Sequence, residues 1–261
     1  MNMQNLNGTR IVITGGSQGL GLAMVEALVA SDANVTAIGR DRANLSAAER
    51  AGAAVIAGDA TDATLMNKVV CEELPDVLIL NAGTRLPIKP IDQLSWDEFS
   101  IVWNTDVKAG LVGIQAALQT PMKPGSRVLV MSSGAAMVLA VPFIKPDDLS
   151  LSGGYIGAKR MLWFMAHSAN KVSRDCDLGI HFQVLAPLQL IPGTTLGHQV
   201  AAACAEIEGV SIEELVMQRY GSILRPAQIG EQVAEILGNP RYLHGVAYGF
   251  RNDCDLQPLD V

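Results

Sequence analysis

Tyr155 and Lys159 stand four residues apart in the stretch SGGYIGAKRML. On a helix the Lys159 ammonium would share a face with the Tyr155 phenol. A free phenol titrates near pH 10, and a cation ~5 Å away at an effective dielectric of ~20 favours the phenolate by roughly 3 kcal/mol. Such a pair can give and take a proton near neutrality. Tyr and Lys also meet at this spacing by chance, and two such neighbours on a helix surface are worth only a few tenths of a kcal/mol. A catalytic reading therefore needs further residues that serve the same chemistry.

The second group with a chemical meaning is ITGGSQGLGLAMVEAL, where Thr14, Gly15, Gly19 and Gly21 form a TGxxxGxG pattern. Gly15 permits a tight turn, Gly19 lets backbone N–H groups approach a pyrophosphate, and Gly21 lets a helix pack close on a sheet. With Ser17, Gln18 and Leu20 they would present a helix N-terminus to negative charge. The pattern follows a β-branched run and opens an amphipathic one, which is the context a dinucleotide site requires. After the second strand-like run, where an NAD site usually places a carboxylate for the ribose, the chain has Gly39 and Arg40. A guanidinium can grip a 2'-phosphate, so NADP(H) is expected over NAD(H). Asp41 dilutes that positive field, and Gln18 adds no second charge.

These residues must be held by a scaffold. The runs RIVIT, NVTAIG, AAVIAG, DVLIL, RVLVMS, IHFQVLA and GVAYGF alternate with segments whose apolar residues recur at three and four. Strands that are apolar almost throughout are buried on both faces. The expected fold is α/β, a doubly wound Rossmann-type three-layer sandwich with a mostly parallel sheet of roughly seven strands. With 49% hydrophobic residues and 261 in all, one domain spanning 1–261 is expected. Two segments break the alternation: 141–154, rich in Pro, Asp and Ser, reads as an inserted loop, and 188–221 reads as a loop followed by helices, a substrate lid.

The net charge of −7 argues against a nucleic-acid surface. No apolar run approaches the ~18 residues that span a bilayer, and the N-terminus has no signal-peptide core, so a cytoplasmic protein without a membrane partner is expected. Cys71, Cys176, Cys204 and Cys254 are far apart and the four His residues show no ligand spacing. Reduced thiols and no metal are expected.

In order, TGxxxGxG at 14–21, GDATD at 58–62, NAG at 81–83, SS at 132–133 and YxxxK at 155–159 resemble the short-chain dehydrogenase/reductase family, over residues 10 to about 187. The resemblance implies that Asp59 and Ala60 flank adenine, that Asn81, Ala82 and Gly83 line the ribose path, and that Tyr155 is the proton donor tuned by Lys159. It implies a substrate-orienting serine at the end of the fifth strand. Ser133 is the candidate, Ser132 pointing the other way by strand alternation, although the spacing to Tyr155 exceeds the family's and requires the insertion at 141–154. Aligning SWDEFSIVWNTD on the family's catalytic helix puts Asp106, rather than Asn104, at the position of its catalytic asparagine. A carboxylate only accepts hydrogen bonds, so Asp106 would hold a relay water, pair with Lys159, or weaken the relay. The family's Pro-Gly after the sixth strand is displaced to 192–193, and Leu190 or Thr194 would meet the nicotinamide.

The implied activity is hydride transfer between a nicotinamide and a small-molecule carbonyl or alcohol, with NADPH-dependent carbonyl reduction foremost. The alternative is an NADP(H)-binding sensor with little turnover, suggested by Asp106 and the altered Pro187 region. Met137, Val138, Leu139, Val141, Phe143, Ile144, Leu190 and Leu196 would wall an apolar pocket, and Arg85 would meet an anionic substrate or solvent. The family also implies a homo-oligomer, tetramer or dimer. The Tyr155 helix carries Leu162, Trp163 and Met165 on a face that would serve either as interface or as core.

Overall fold

In the computed structural model, which describes residues 6–137, 154–252 and 256–259, the β-branched runs become β1 (Arg10–Thr14), β2 (Asn34–Gly39), β3 (Ala54–Ala57), β4 (Val77–Leu80), β5 (Arg127–Met131), β6 (His181–Pro187) and β7 (Ala247–Phe250). An eighth strand, β8 (Gln257–Pro258), pairs antiparallel with β7. The described sheet thus has eight strands where the sequence pattern gives roughly seven. Two residues are too few to show alternation, and a proline suits an edge that needs no further ladder N–H. The order is β3-β2-β1-β4-β5-β6-β7-β8, parallel throughout except for the last pair. Between β1 and β4 the winding reverses direction. A crevice opens there at the carboxyl ends of the strands.

The helices are α1 (Gly19–Ala30), α2 (Ser46–Arg50), α3 (Ala63–Glu73), α4 (Trp96–Val102), α5 (Lys108–Gln119), α6 (Tyr155–Asp175), α7 (Thr195–Glu208), α8 (Ile212–Tyr220) and α9 (Pro226–Gly238). Strand alternation sorts the core into two layers. Ile11, Ile13 and Leu129 pack with Met24 and Leu28 of α1 and Val233 of α9. Val12, Leu78 and Val130 pack on the opposite face with Met66 of α3, Ile114 of α5 and Leu162 of α6. Leu162 is buried there, with Trp163 and Met165 packed against it, so that face of α6 is core. Its exposed neighbour is Phe164.

Region 188–221 contains α7 and α8, and of 141–154 only Gly154 lies within the described residues. The candidate wall residues Val138, Leu139, Val141, Phe143 and Ile144 fall outside them. No helix among the described residues is long and apolar enough to cross a membrane. The helix that carries Asp106 starts at α4 with a capping box, Ser95 and Glu98 exchanging hydrogen bonds. The Lys89 ammonium and the Ser95 N–H hold the Glu98 carboxyl down to about 2. A capped start fixes where the next turns of helix point.

At the amino end of the sheet, away from the crevice, a buried cation ties three elements together. Arg127 donates from Nε and Nη2 to Gln183 Oε1 at 2.8 and 2.5 Å and from Nη1 to the Ile236 carbonyl at 3.0 Å. Gln183 Nε2 donates onward to the carbonyls of Tyr242 and Gly245 at 2.8 and 2.6 Å. Burial lowers Arg127 to about 10, still charged at neutral pH. Its acceptors are neutral dipoles, which suffice because every N–H they receive is well aimed. We expect Arg127→Met to lower the free energy of unfolding by about 2–4 kcal/mol, read from urea titration, since it strands several buried acceptors at once.

Candidate active site

The crevice is built first by Thr14. Its hydroxyl donates to the Ile79 carbonyl at 3.3 Å and accepts the N–H groups of Asn81 and Ala82 at 3.0 and 3.1 Å, stitching the end of β1 to the end of β4. Asn81 Nδ2 donates to the carbonyls of Thr14 and Gly15, each at 3.2 Å. The Asn81 side chain therefore holds the glycine turn in place. Gly15 has φ +69°, and a Cβ there would lie 2.9 Å from Ala82 Cα. A Cβ on Gly21 would lie 1.9 Å from the Gly15 carbonyl oxygen. No side chain caps α1 at Gln18, so its first N–H groups and the positive end of its dipole are left to the crevice. Small residues where the backbone must approach, together with an uncapped helix end, fit a dinucleotide pyrophosphate.

The proton-transfer cluster lies on the far side of the same crevice. A five-residue π-helical turn, Trp103–Val107, joins α4 to α5, and such turns re-aim side chains within a continuous helix. Here it directs Asp106 inward, where the residue is 2% exposed. Asp106 Oδ2 is 3.0 Å from Lys159 Nζ, and its Oδ1 accepts the Thr84 N–H at 2.9 Å. Lys159 Nζ is 5.6 Å from the centre of the Tyr155 ring. Burial pushes the Lys159 ammonium down, but Asp106 and the Tyr155 oxygen more than offset it, and the group is held above its ordinary value. Gly154, at the head of α6, makes this approach possible, because a Cβ there would lie 2.4 Å from the Phe99 carbonyl oxygen. Asn104 belongs to the same π turn and donates to Ser100 Oγ at 3.3 Å.

Strand alternation separates the two serines after β5. Ser132 is buried and donates to the Lys159 carbonyl at 2.9 Å, which ties β5 to α6. Ser133 lines the crevice and its Oγ accepts the Ala135 N–H at 3.2 Å, so its hydroxyl proton is left for another acceptor.

One cavity of about 390 Å³ brings together the catalytic and cofactor-binding candidates read from the sequence, while the wall candidate Met137 does not line it. Gly15, Ser17, Gln18, Gly19, Leu20 and Gly21 meet Arg40, Asp59 and Ala60 at one end. Asn81, Ala82, Gly83, Asp106, Ser133, Tyr155 and Lys159 form the middle, and Leu190 and Thr194 close over it. Thr194 stands beside the phosphate turn. Its methyl lies 3.8 Å from where a Gly19 Cβ would stand, over the phosphate turn, and its hydroxyl is engaged with the Ile191 carbonyl and the Gly197 N–H as the N-cap of α7. Asp59 is exposed and accepts the Thr61 N–H at 2.9 Å, while the cap of α3 is Asp62. Arg85 is exposed at the rim. Residues absent from the sequence reading also line the cavity, among them Leu86, Ile88, Ile156, Val200 and Tyr220. Their types carry no signal, and only the packing of the segment after β4, of α6 and of α7 and α8 around the crevice selects them.

Residues 9–144, just over half of the chain, match the sequence profile of the family described as short chain dehydrogenase. The chain is 25% identical to an L-fucose dehydrogenase of Rattus norvegicus over 247 residues, 92% of this chain and 87% of that protein. It is 30% identical over 192 residues to a protein of Escherichia coli (strain K12) named cyclic-di-GMP-binding biofilm dispersal mediator protein, 71% of this chain and 74% of that one. Its fold is similar to that of a short chain dehydrogenase from Burkholderia cenocepacia solved in complex with NADP, with a TM-score of 0.71, 22% identity, and 95% and 97% of the two chains covered. The chain belongs to the short-chain dehydrogenase/reductase family. It is an oxidoreductase of that family, acting between CH–OH and C=O groups with NAD(P).

Gly21→Ala should weaken binding of reduced nicotinamide dinucleotide by more than about tenfold in a fluorescence titration, because the added methyl must displace the Gly15 carbonyl from the turn.

Proposed function

We propose that the protein is an NADPH-dependent carbonyl reductase and alcohol dehydrogenase. The observation that carries this reading is the meeting of Ser133, Tyr155 and Lys159 on the cavity that also holds the glycine turn. When bound, the cofactor would exchange a hydride with the carbonyl carbon. Ser133 donates its hydroxyl proton in a hydrogen bond to the carbonyl oxygen and so orients it. As charge develops on that oxygen, Tyr155 delivers a proton to it and the Lys159 ammonium stabilises the phenolate left behind. In the oxidative direction the same groups work in reverse. Leu86, Ile88, Leu196 and Val200 gather around Tyr155, which favours a substrate with an apolar body beside its carbonyl, and α7 and α8 form its lid.

The preference for NADPH rests on Arg40. It is exposed at the adenine end of the cavity, whereas Arg42 is engaged with Glu49 at 2.8 Å. The Asp41 carboxylate is turned onto the Ala43 N–H and the Asn44 amide at 2.9 and 3.1 Å. That carboxylate is therefore committed to its own turn. The Burkholderia structure holds NADP, in keeping with this choice.

A second reading is a cofactor-binding sensor with little turnover, in keeping with the Escherichia coli relative named for binding cyclic di-GMP. We also propose a cytoplasmic protein that forms a dimer or tetramer through α5 and α6, where Leu111 and Phe164 are 42% and 66% exposed. Phe164→Asp should then yield smaller species by light scattering.

A carbonyl panel with NADPH and NADH tests the function. Carbonyl-dependent NADPH oxidation should fall by at least about a hundredfold in Tyr155→Phe with NADPH binding retained, and Arg40→Ala should weaken NADPH but not NADH. Tight binding with no turnover on any carbonyl would instead establish the sensor.

A further inference from the structure

The Asp106 carboxylate is buried and has a partner for each oxygen, the Lys159 ammonium at 3.0 Å and the Thr84 N–H at 2.9 Å. Lys159 is itself buried, and a buried ammonium with no counter-charge tends to lose its proton. The two charges of the pair are opposite, so at the phenol, 5.6 Å from the ammonium by its ring centre, the field of the ammonium is opposed by that of its partner carboxylate. We propose that Asp106 is a positioning residue that acts through Lys159: it keeps the amine an ammonium inside a water-poor site and moderates that ammonium's pull on the Tyr155 hydroxyl proton. The inference rests on Tyr155 as the proton donor. It has a functional direction: the ammonium that steadies the developing phenolate is kept charged further into alkaline pH than a neutral side chain at 106 would allow.

Other charges around the cluster are differently placed. Arg85 after β4, Lys108 on α5, Arg160 on α6 and His198 on α7 are exposed and screened by solvent. Glu98 on α4 is paired with Lys89, and Arg219 of α8 with Glu208 of α7. Ser132 and Ser133 after β5 bring no charge. Among the described residues, Asp106 is the carboxylate in contact with Lys159.

The sign follows from the pair. Lys159 is raised by its partners, so the ammonium persists as pH climbs past the ordinary lysine range, and removing Asp106 brings that loss down. If the ammonium survives the substitution, its unopposed field promotes loss of the phenol proton instead. Both routes move the alkaline limb of reduction towards acid.

The test compares wild type with Asp106→Asn, whose amide oxygen can still accept the Thr84 N–H while its NH2 confronts Lys159. We expect the alkaline limb of kcat/KM for carbonyl reduction to move acid by at least about one pH unit. Without substrate, the phenolate absorbance that is lost in Tyr155→Phe should titrate at lower pH where the ammonium survives and at higher pH where the amine has lost its proton. Asp106→Glu should return both part of the way. That titration needs no turnover, so it decides the role of Asp106 even if no carbonyl proves to be a substrate. Coincident titrations in wild type and Asp106→Asn, with only a uniform fall in rate, would overturn the proposal, as would an alkaline shift of the rate limb. Should Asp106→Asn not fold, Asp106→Ser removes the same charge with a smaller side chain, and failure of both to fold would leave Asp106 a structural carboxylate and overturn it.

Discussion

The ends of β1 and β4 approach so closely that there is no room for a side chain at Gly15, and the rest of the site depends on that approach. The Thr14 hydroxyl secures it with three hydrogen bonds to the neighbouring strand and the loop that follows. Because the two ends meet, the uncapped start of α1 and the segment after β4 open onto one crevice. The same segment supplies the Thr84 N–H to Asp106, which holds Lys159, which faces Tyr155. The phosphate end and the proton-transfer end are thus linked by direct contacts through backbone that is itself pinned. A shift at the turn would reach the phenol through very few intermediaries, which is how a site separated along the sequence can behave as one rigid object.

Arg127 and Lys159 are both buried, and the protein treats them differently. Arg127, at the amino end of the sheet, is received by an amide and two backbone carbonyls. Its spread-out charge and planar donors suit several weak acceptors. Lys159, at the carboxyl end, carries a compact charge that is costly to desolvate, and a carboxylate stands beside it. One cation locks structure where no chemistry occurs. The other is held as an ammonium beside the proton donor.

Much of this was legible in the sequence because it is local. The glycine turn, the strands apolar on both faces and the opposed serines 132 and 133 all follow from short-range periodicity and from steric need. The partnership of Asp106 with Lys159 was one of three open possibilities, because choosing among them requires the π turn, and WNTDV contains nothing that distinguishes a π turn from a regular helix. Periodicity put Leu162 and Met165 on an apolar face but could not say what covers it, which only the packing of α5 and the sheet decides. The spacing left Leu190 and Thr194 open as neighbours of the nicotinamide, and the engagement of the Thr194 hydroxyl at the start of α7 shows only once the chain is folded. β8 escaped notice because two residues have no pattern.

The π turn at Trp103–Val107 also constrains how this chain can vary over time. A regular helix advances about 100° per residue, so deleting one residue there would rotate everything downstream by about that much relative to α4. Either Asp106 would turn away from Lys159, or the core face of α5, with Val112 and Ile114, would turn towards solvent. Substitutions within 103–107 outside Asp106 can be absorbed one side chain at a time, but a change of length cannot. Among descendants of this sequence the residue count of the segment is therefore expected to stay frozen, with variation in composition falling on its half-exposed positions rather than on Asp106.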